Sequence, residues 1–236
     1  MKTSTNYTLR KSNFYFLFTL LVAAMVSSCA KTDETDTTIS YLRVTNASPT
    51  LATYNVYLNG STINSVALPF AGSLAYTSRT AGTYSLKFTT GSNVENLLTK
   101  DVVLNQNTSY SFYLVNKPGQ LDGLLIGDDL SIASTDKAYI RFINLSPDAP
   151  ALDLAKTSAT TSYVTSKAFK TASGFVAIDA GTYSLDAKDT STGLVKTTKT
   201  DAVFAAGYHY DVICGGLVTP ANDTERPISL QVLTIK

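Results

Sequence analysis

From Ile39 onward the chain alternates apolar and polar positions with a period of two, in short runs closed by Gly, Pro, Asn or Asp. Tyr84, Leu86 and Phe88 illustrate the pattern. Such alternation gives a β-strand one face to bury, whereas a helix would repeat its apolar positions every three to four residues. Strands are predicted near 41–46, 55–58, 63–68, 73–77, 83–89, 97–104, 109–115 and 121–126. A second set follows near 138–144, 152–155, 163–168, 175–178, 182–188, 195–203, 208–214 and 228–235. Asn59-Gly60 suits a two-residue hairpin, because both central residues of that turn need positive φ. No helix is predicted in this region.

The two sets repeat one another. Tyr41-Leu-Arg43-Val-Thr-Asn46-Ala-Ser48-Pro49 recurs as Tyr139-Ile-Arg141-Phe-Ile-Asn144-Leu-Ser146-Pro147, 98 positions later. Ala81-Gly82-Thr83-Tyr84-Ser85-Leu86 recurs unchanged from Ala180 to Leu185, 99 positions later. Two matches in the same order at almost the same spacing indicate a duplicated unit. Seven or eight short strands in each copy predict an all-β chain of two tandem immunoglobulin-like β-sandwich domains, one over 39–131 and the other over 138–236, joined by a linker at 132–137.

The N-terminus follows another pattern. Lys2, Arg10 and Lys11 precede an uncharged apolar stretch of 13 residues, Phe14 to Val26, which ends in Val26-Ser27-Ser28-Cys29. A membrane-spanning helix needs about 20 apolar residues, so the stretch reads as a cleaved signal over 1–28. Val-Ser-Ser-Cys resembles the lipobox of bacterial lipoproteins. The resemblance implies that the Cys29 thiol is acylated with palmitate-type chains and becomes the mature N-terminus, fixed to membrane lipid. Residues 29–38 then hold the lipidated Cys and a polar, flexible tether. Lys31-Thr32-Asp33-Glu34 is similar to acidic segments that direct some lipoproteins to the outer face of the outer membrane. The expected location is therefore the cell envelope, at the outer membrane and on its exposed side.

Arg141-Phe-Ile-Asn144-Leu-Ser146-Pro147-Asp148-Ala149-Pro150, with the later Ala-Gly-Thr-Tyr, resembles the bacterial family catalogued as domain of unknown function 4397. The resemblance implies a secreted or lipid-anchored β-sandwich, often in tandem, and no established activity. The first copy departs from the motif, with Thr50-Leu51-Ala52 in place of Asp148-Ala149-Pro150. If the turn Ser146 to Asp148 served a ligand, only the second copy would be intact. The turn has a sufficient structural account, since Pro suits its first central position and Asn46 or Asn144 can tie it through a side-chain amide.

Charge narrows the partners. Cleavage before Cys29 leaves 208 residues and moves the formal charge from +1 to −2. Nucleic acid requires clustered Lys and Arg, so no nucleic-acid partner is expected. Arg43 and Arg141 sit mid-strand, and their aliphatic stems are expected to cover a sheet edge while the guanidinium reaches solvent or a loop carboxylate.

Candidate chemistry is sparse. His209 is the sole histidine and Cys214 the sole cysteine besides Cys29. They are an odd number of positions apart in one predicted strand, so they point to opposite faces and cannot form a dyad. Cys214, in step with Tyr210 and Val212, is expected in the core, and His209 on the other face. One His and one thiol cannot build a zinc site, and no metal or cofactor is expected. Asp122, Asp128 and Asp129 form the one acidic cluster worth comparing with a calcium site. No Gly-x-Ser-x-Gly elbow or phosphate loop is present. The expected function is a membrane-anchored, non-catalytic envelope lipoprotein that binds an envelope protein or builds structure. A glycan-binding accessory lipoprotein of a carbohydrate-uptake system is the alternative, and a hydrolase using His209 the least favoured. A row of exposed Tyr at one loop end would favour glycan; a Thr-rich exposed edge strand would favour protein contact.

Overall fold

The computed structural model describes residues 38–92 and 95–235. Residues 1–37, with the expected signal, Cys29 and the expected tether, lie outside the described residues. The described residues form one compact unit, which is all-β.

The first half contains β1 (Ile39–Asn46), β2 (Tyr54–Leu58), β3 (Ser61–Thr62), β4 (Thr77–Thr80), β5 (Gly82–Thr90), β6 (Leu98–Leu104), β7 (Ser109–Val115) and β8 (Asp122–Asp128). The second contains β9 (Lys137–Asn144), β10 (Leu152–Lys156), β11 (Ser162–Lys167), β12 (Thr171–Ala172), β13 (Val176–Asp179), β14 (Gly181–Asp189), β15 (Val195–Phe204), β16 (His209–Gly215) and β17 (Ser229–Thr234). Each half is a pair of sheets. The first has the orders β4-β1-β7-β8 and β3-β2-β5-β6. The second repeats them as β12-β9-β16-β17, with β13 also on β9, and β11-β10-β14-β15. In both halves the first strand pairs in parallel with the penultimate one, β1 with β7 and β9 with β16.

Side-chain alternation separates the cores. Leu42 and Val44 of β1 and Tyr110, Phe112 and Leu114 of β7 fill the first sandwich. Ile140 and Phe142 of β9 and Tyr210, Val212 and Cys214 of β16 fill the second. The opposite faces of these strands are also buried, with Tyr113, Val115, Ile143 and Ile213 in a third apolar cluster drawn from both halves. The two inner sheets therefore pack on each other, and the unit is four sheets deep.

Local chemistry explains the turns and one departure from expectation. Asn59 and Gly60 have φ of 47° and 82°, as the β2–β3 hairpin requires. Residues 63–68 are not a strand. Asn64 stands in for one: its Oδ1 accepts from the Val56 amide at 2.7 Å and its Nδ2 donates to the Tyr54 carbonyl at 3.0 Å, occupying edge groups of β2. The predicted strand at 73–77 lies later, as β4, while Ser73 makes an isolated bridge to Thr45. Asn46 and Asn144 tie the turns after β1 and β9, accepting from the amides of Ser48 and Ser146 at 2.9 and 3.1 Å.

The strand directions set two ends. Thr38, the segment 129–136 and Ile235, whose amide donates to His209 O, lie at the end where β1 begins. The loops after β1, β7, β9 and β16 gather at the other. There the Leu51 amide donates to Thr224 O, the Arg226 amide to Pro49 O, and Lys117 pairs with Glu225 at 2.7 Å.

Candidate functional site

The densest group of ionisable side chains among the described residues lies where the two inner sheets meet. Strand parity places it. Arg43 on β1, Ser111 and Tyr113 on β7, Arg141 on β9 and Asp211 on β16 all project from the face opposite their own sandwich core. Asp128 closes the group from the end of β8.

Asp211 is the hub. Its Oδ1 accepts from Arg141 Nε and pairs with Arg141 Nη2, both at 2.8 Å. Its Oδ2 pairs with Arg43 Nη2 and accepts from the Tyr113 hydroxyl. Asp128 is the second anion, with Oδ1 2.7 Å from Arg141 Nη1 and Oδ2 accepting from the hydroxyls of Ser111, at 2.8 Å, and Tyr76. Arg43 also donates to Ser111 Oγ at 3.1 Å and to the Tyr113 hydroxyl at 3.0 Å. Two guanidinium and two carboxylate groups balance to zero charge, and Asp211 has no exposed surface.

Arg43 and Arg141 thus correct the sequence expectation. They lie not at a sheet edge reaching solvent but in central strands, 3% and 2% exposed. Burial alone would lower their pKa values, yet the oxygens of Tyr113, Asp211 and Asp128 outweigh it and raise both. Tyr113 is pushed well above its ordinary value, by burial first and then by the Asp211 charge, so it remains a donor. The guanidinium of Arg43 lies 5.7 Å from the Tyr76 ring centroid, and that of Arg141 4.7 Å from the Phe175 centroid. These rings occupy equivalent places in the two halves. Each Arg borders an open flank of the sheet interface, a groove of about 400 Å³ beside Arg141, Phe175 and Ile126 and one of about 360 Å³ beside Arg43, Tyr76 and Leu233.

The other candidate residues are dispersed. His209 is fully buried on the face opposite Cys214, stacked on Tyr139 and edge-on to Phe175 with centroids 4.8 Å from each, and its Nε2 lies 3.1 Å from Ser131 O. Cys214 is in the second core, where burial pushes its thiol up to about 12. The three acidic residues do not converge. Asp122 pairs with Lys100 and Lys170, Asp128 belongs to the network, and Asp129 accepts from the Ser131 amide at 3.1 Å. Among the described residues no group of His, Cys, Asp or Glu is arranged to hold a metal. Among the described residues no helix is long and apolar enough to cross a membrane.

The Ser146 to Asp148 turn has a structural task found only in the second half. Asp148 accepts from the amides of Val218 and Thr219 at 2.8 and 2.9 Å. It thereby shapes the loop 216–228, whose counterpart in the first half is the short connection 116–121. The first half's Thr50-Leu51-Ala52 lies against that loop through the bond from the Leu51 amide to Thr224 O. This accounts for the difference between the two motifs.

The fold and this network define an all-β double sandwich with a buried polar seam. Residues 40–155, a little under half of the chain, match the family model described as Domain of unknown function (DUF4397), so the resemblance carried by the Ser-Pro and Ala-Gly-Thr-Tyr motifs is to that family. Among solved structures the chain is similar to CBMbc, a family CBM26 protein from Eubacterium rectale Amy13K crystallised with maltoheptaose, at 8% identity and a TM-score of 0.25, covering 83% of this chain and 95% of that one. It is also similar to a DUF3823 family protein from Bacteroides ovatus ATCC 8483, at 10% identity and a TM-score of 0.21, covering 71% and 98%. No curated protein matches the chain.

Proposed function

We propose that the protein is a membrane-anchored, non-catalytic lipoprotein of the cell envelope, held by an acylated Cys29 at the outer membrane, which presents a rigid double sandwich to an envelope protein. The carrying observation is that the densest set of charged side chains among the described residues is consumed internally. Asp211, Asp128, Arg43 and Arg141 satisfy one another between two sheets, and an active site would instead aim such groups at a substrate. The enclosure of His209 and the raised pKa of Cys214 support the same reading. Protein contact is favoured over glycan by β15, a ten-residue, Thr-rich edge strand. Tyr41 and Tyr208, the exposed tyrosines among the described residues, are one from each half at the end where β1 begins, too few for a row. Fractionation of cells producing the full chain and Cys29→Ser tests the anchor: the first should sediment with outer membrane, the second should not. Crosslinking in those cells tests the partner. A recovered glycan-import complex, or turnover of an ester by the purified protein that His209→Ala abolishes, would overturn the proposal.

A further inference from the structure

We infer that the end of the unit where β1 begins is a lipid-docking face that rests on the bilayer holding the anchor, a step that depends on the lipoprotein reading above. Five of the exposed large apolar residues sit at this end. Tyr41 is the third residue of β1, Tyr208 immediately precedes β16, and Ile132 is in the connection between the halves. Val103 and Val203 are the penultimate residues of β6 and β15, equivalent positions in the two halves, 57% and 66% exposed. Phenolic side chains combine an apolar ring with a polar tip and suit the boundary between hydrocarbon and water.

The length of the preceding chain selects the bilayer as the occupant. The ten residues from Cys29 to Thr38 can span at most about 30 Å when fully drawn out. A unit of about 200 residues has a radius of gyration on the order of 16 Å, so the face at which the tether arrives stays within reach of the membrane. The remaining apolar exposures do not. Leu51, Val66, Leu194, Val195 and Val218 lie towards the loop end, about the eight-residue length of β1, or 26 Å, further out. A short tether also holds the near face at high effective concentration against the lipid, so weak individual contacts suffice.

Charge specifies the surface. Asp129, Asp136 and Asp179 are exposed at this end, against Lys137, which pairs with Asp179, and the half-buried Arg79 of β4, which leaves the end net negative. An anionic bilayer is therefore disfavoured and a zwitterionic one fits. The loop end is left free, which directs the joined loops of both halves away from the membrane.

The test uses the full, lipidated protein in phosphatidylcholine vesicles containing spin-labelled lipid. Single thiols introduced by Val103→Cys, Val203→Cys or Leu194→Cys carry a fluorescent label, Cys214 being buried. Labels at 103 and 203 should be quenched several-fold more than the label at 194, and replacing phosphatidylcholine with phosphatidylglycerol should reduce the difference. Equal quenching at the three sites, in protein that floats with the vesicles, overturns the docking while leaving the anchor intact. Protein that fails to float overturns the anchor, and the docking with it. Val103→Glu with Val203→Glu, both at exposed positions, should abolish the quenching of a label at Ile132→Cys without release from the vesicles.

Discussion

Arg43 and Asp211, 168 positions apart, form an ion pair that neither half of the chain could make alone. Removing one member of a buried pair leaves the other charge uncompensated, at a cost of about 3 to 5 kcal/mol. Asp211→Ala should destabilise the protein by that amount, because two guanidinium groups lose their shared anion. Replacing Arg43 and Asp211 together should cost less than the sum of the single changes, and a double-mutant cycle in urea measures the difference.

Acid should weaken the surface links first. Burial alone would raise the pKa of Asp122, but hydrogen bonds from Lys100, Lys170 and the Gly123 amide outweigh it and hold it below the ordinary carboxylate range. Asp189 is held down to about 2, chiefly by the Ser191 hydroxyl and amide. A depressed folded pKa means the ionised form is the stabilising one. The contribution is complete above the unfolded value near pH 4 and is lost as pH falls towards the folded value. Thermal midpoints should decline between pH 4 and 2. Lys170→Met should flatten part of that decline, since Lys170 links the second half to Asp122 in the first.

Cys214 should be chemically silent in the folded state. Its thiol is fully buried and its pKa is pushed up to about 12 by burial, and thiolate is the reactive form. In a Cys29→Ser background, labelling by a maleimide at pH 7.5 should follow the unfolding rate, and Cys214→Val should preserve the fold.

Asp148→Ala should loosen one loop and little else. The amides of Val218 and Thr219 would lose their acceptor at an exposed site, a change of about 1 kcal/mol. Hydrogen exchange should accelerate over 217–224 and remain unchanged in β9 and β16.

Much of this architecture was legible in the sequence, for identifiable reasons. Period-two alternation located nearly every strand, Asn59-Gly60 marked its hairpin, and parity placed Cys214 and His209 on opposite faces of β16. What alternation does not state is what covers the second face. Arg43 and Arg141 were expected at a sheet edge with the guanidinium reaching solvent or a loop carboxylate, yet a second sheet lies over them. A signal for this was present: β7, Ser-Tyr-Ser-Phe-Tyr-Leu-Val, and β16, His-Tyr-Asp-Val-Ile-Cys-Gly, carry apolar residues at both parities, the mark of strands buried on both sides. The strand expected at 63–68 failed for another reason, because the amide of Asn64 mimics backbone and its pattern of neighbours does not reveal this. The role of Asp148 required the loop 216–228, which joins the motif only in three dimensions.

The central structural claim is that the two halves form one unit sealed by the Asp211 network, and hydrogen exchange with mass spectrometry reads both halves at once. In the parent protein, peptides covering β7 and β16 should share one opening free energy and lose protection at the same urea concentration. Asp211→Ala should lower both by the same amount. Loss of protection in β16 at a lower urea concentration than in β7, or an Asp211→Ala effect confined to the second half, would contradict the account.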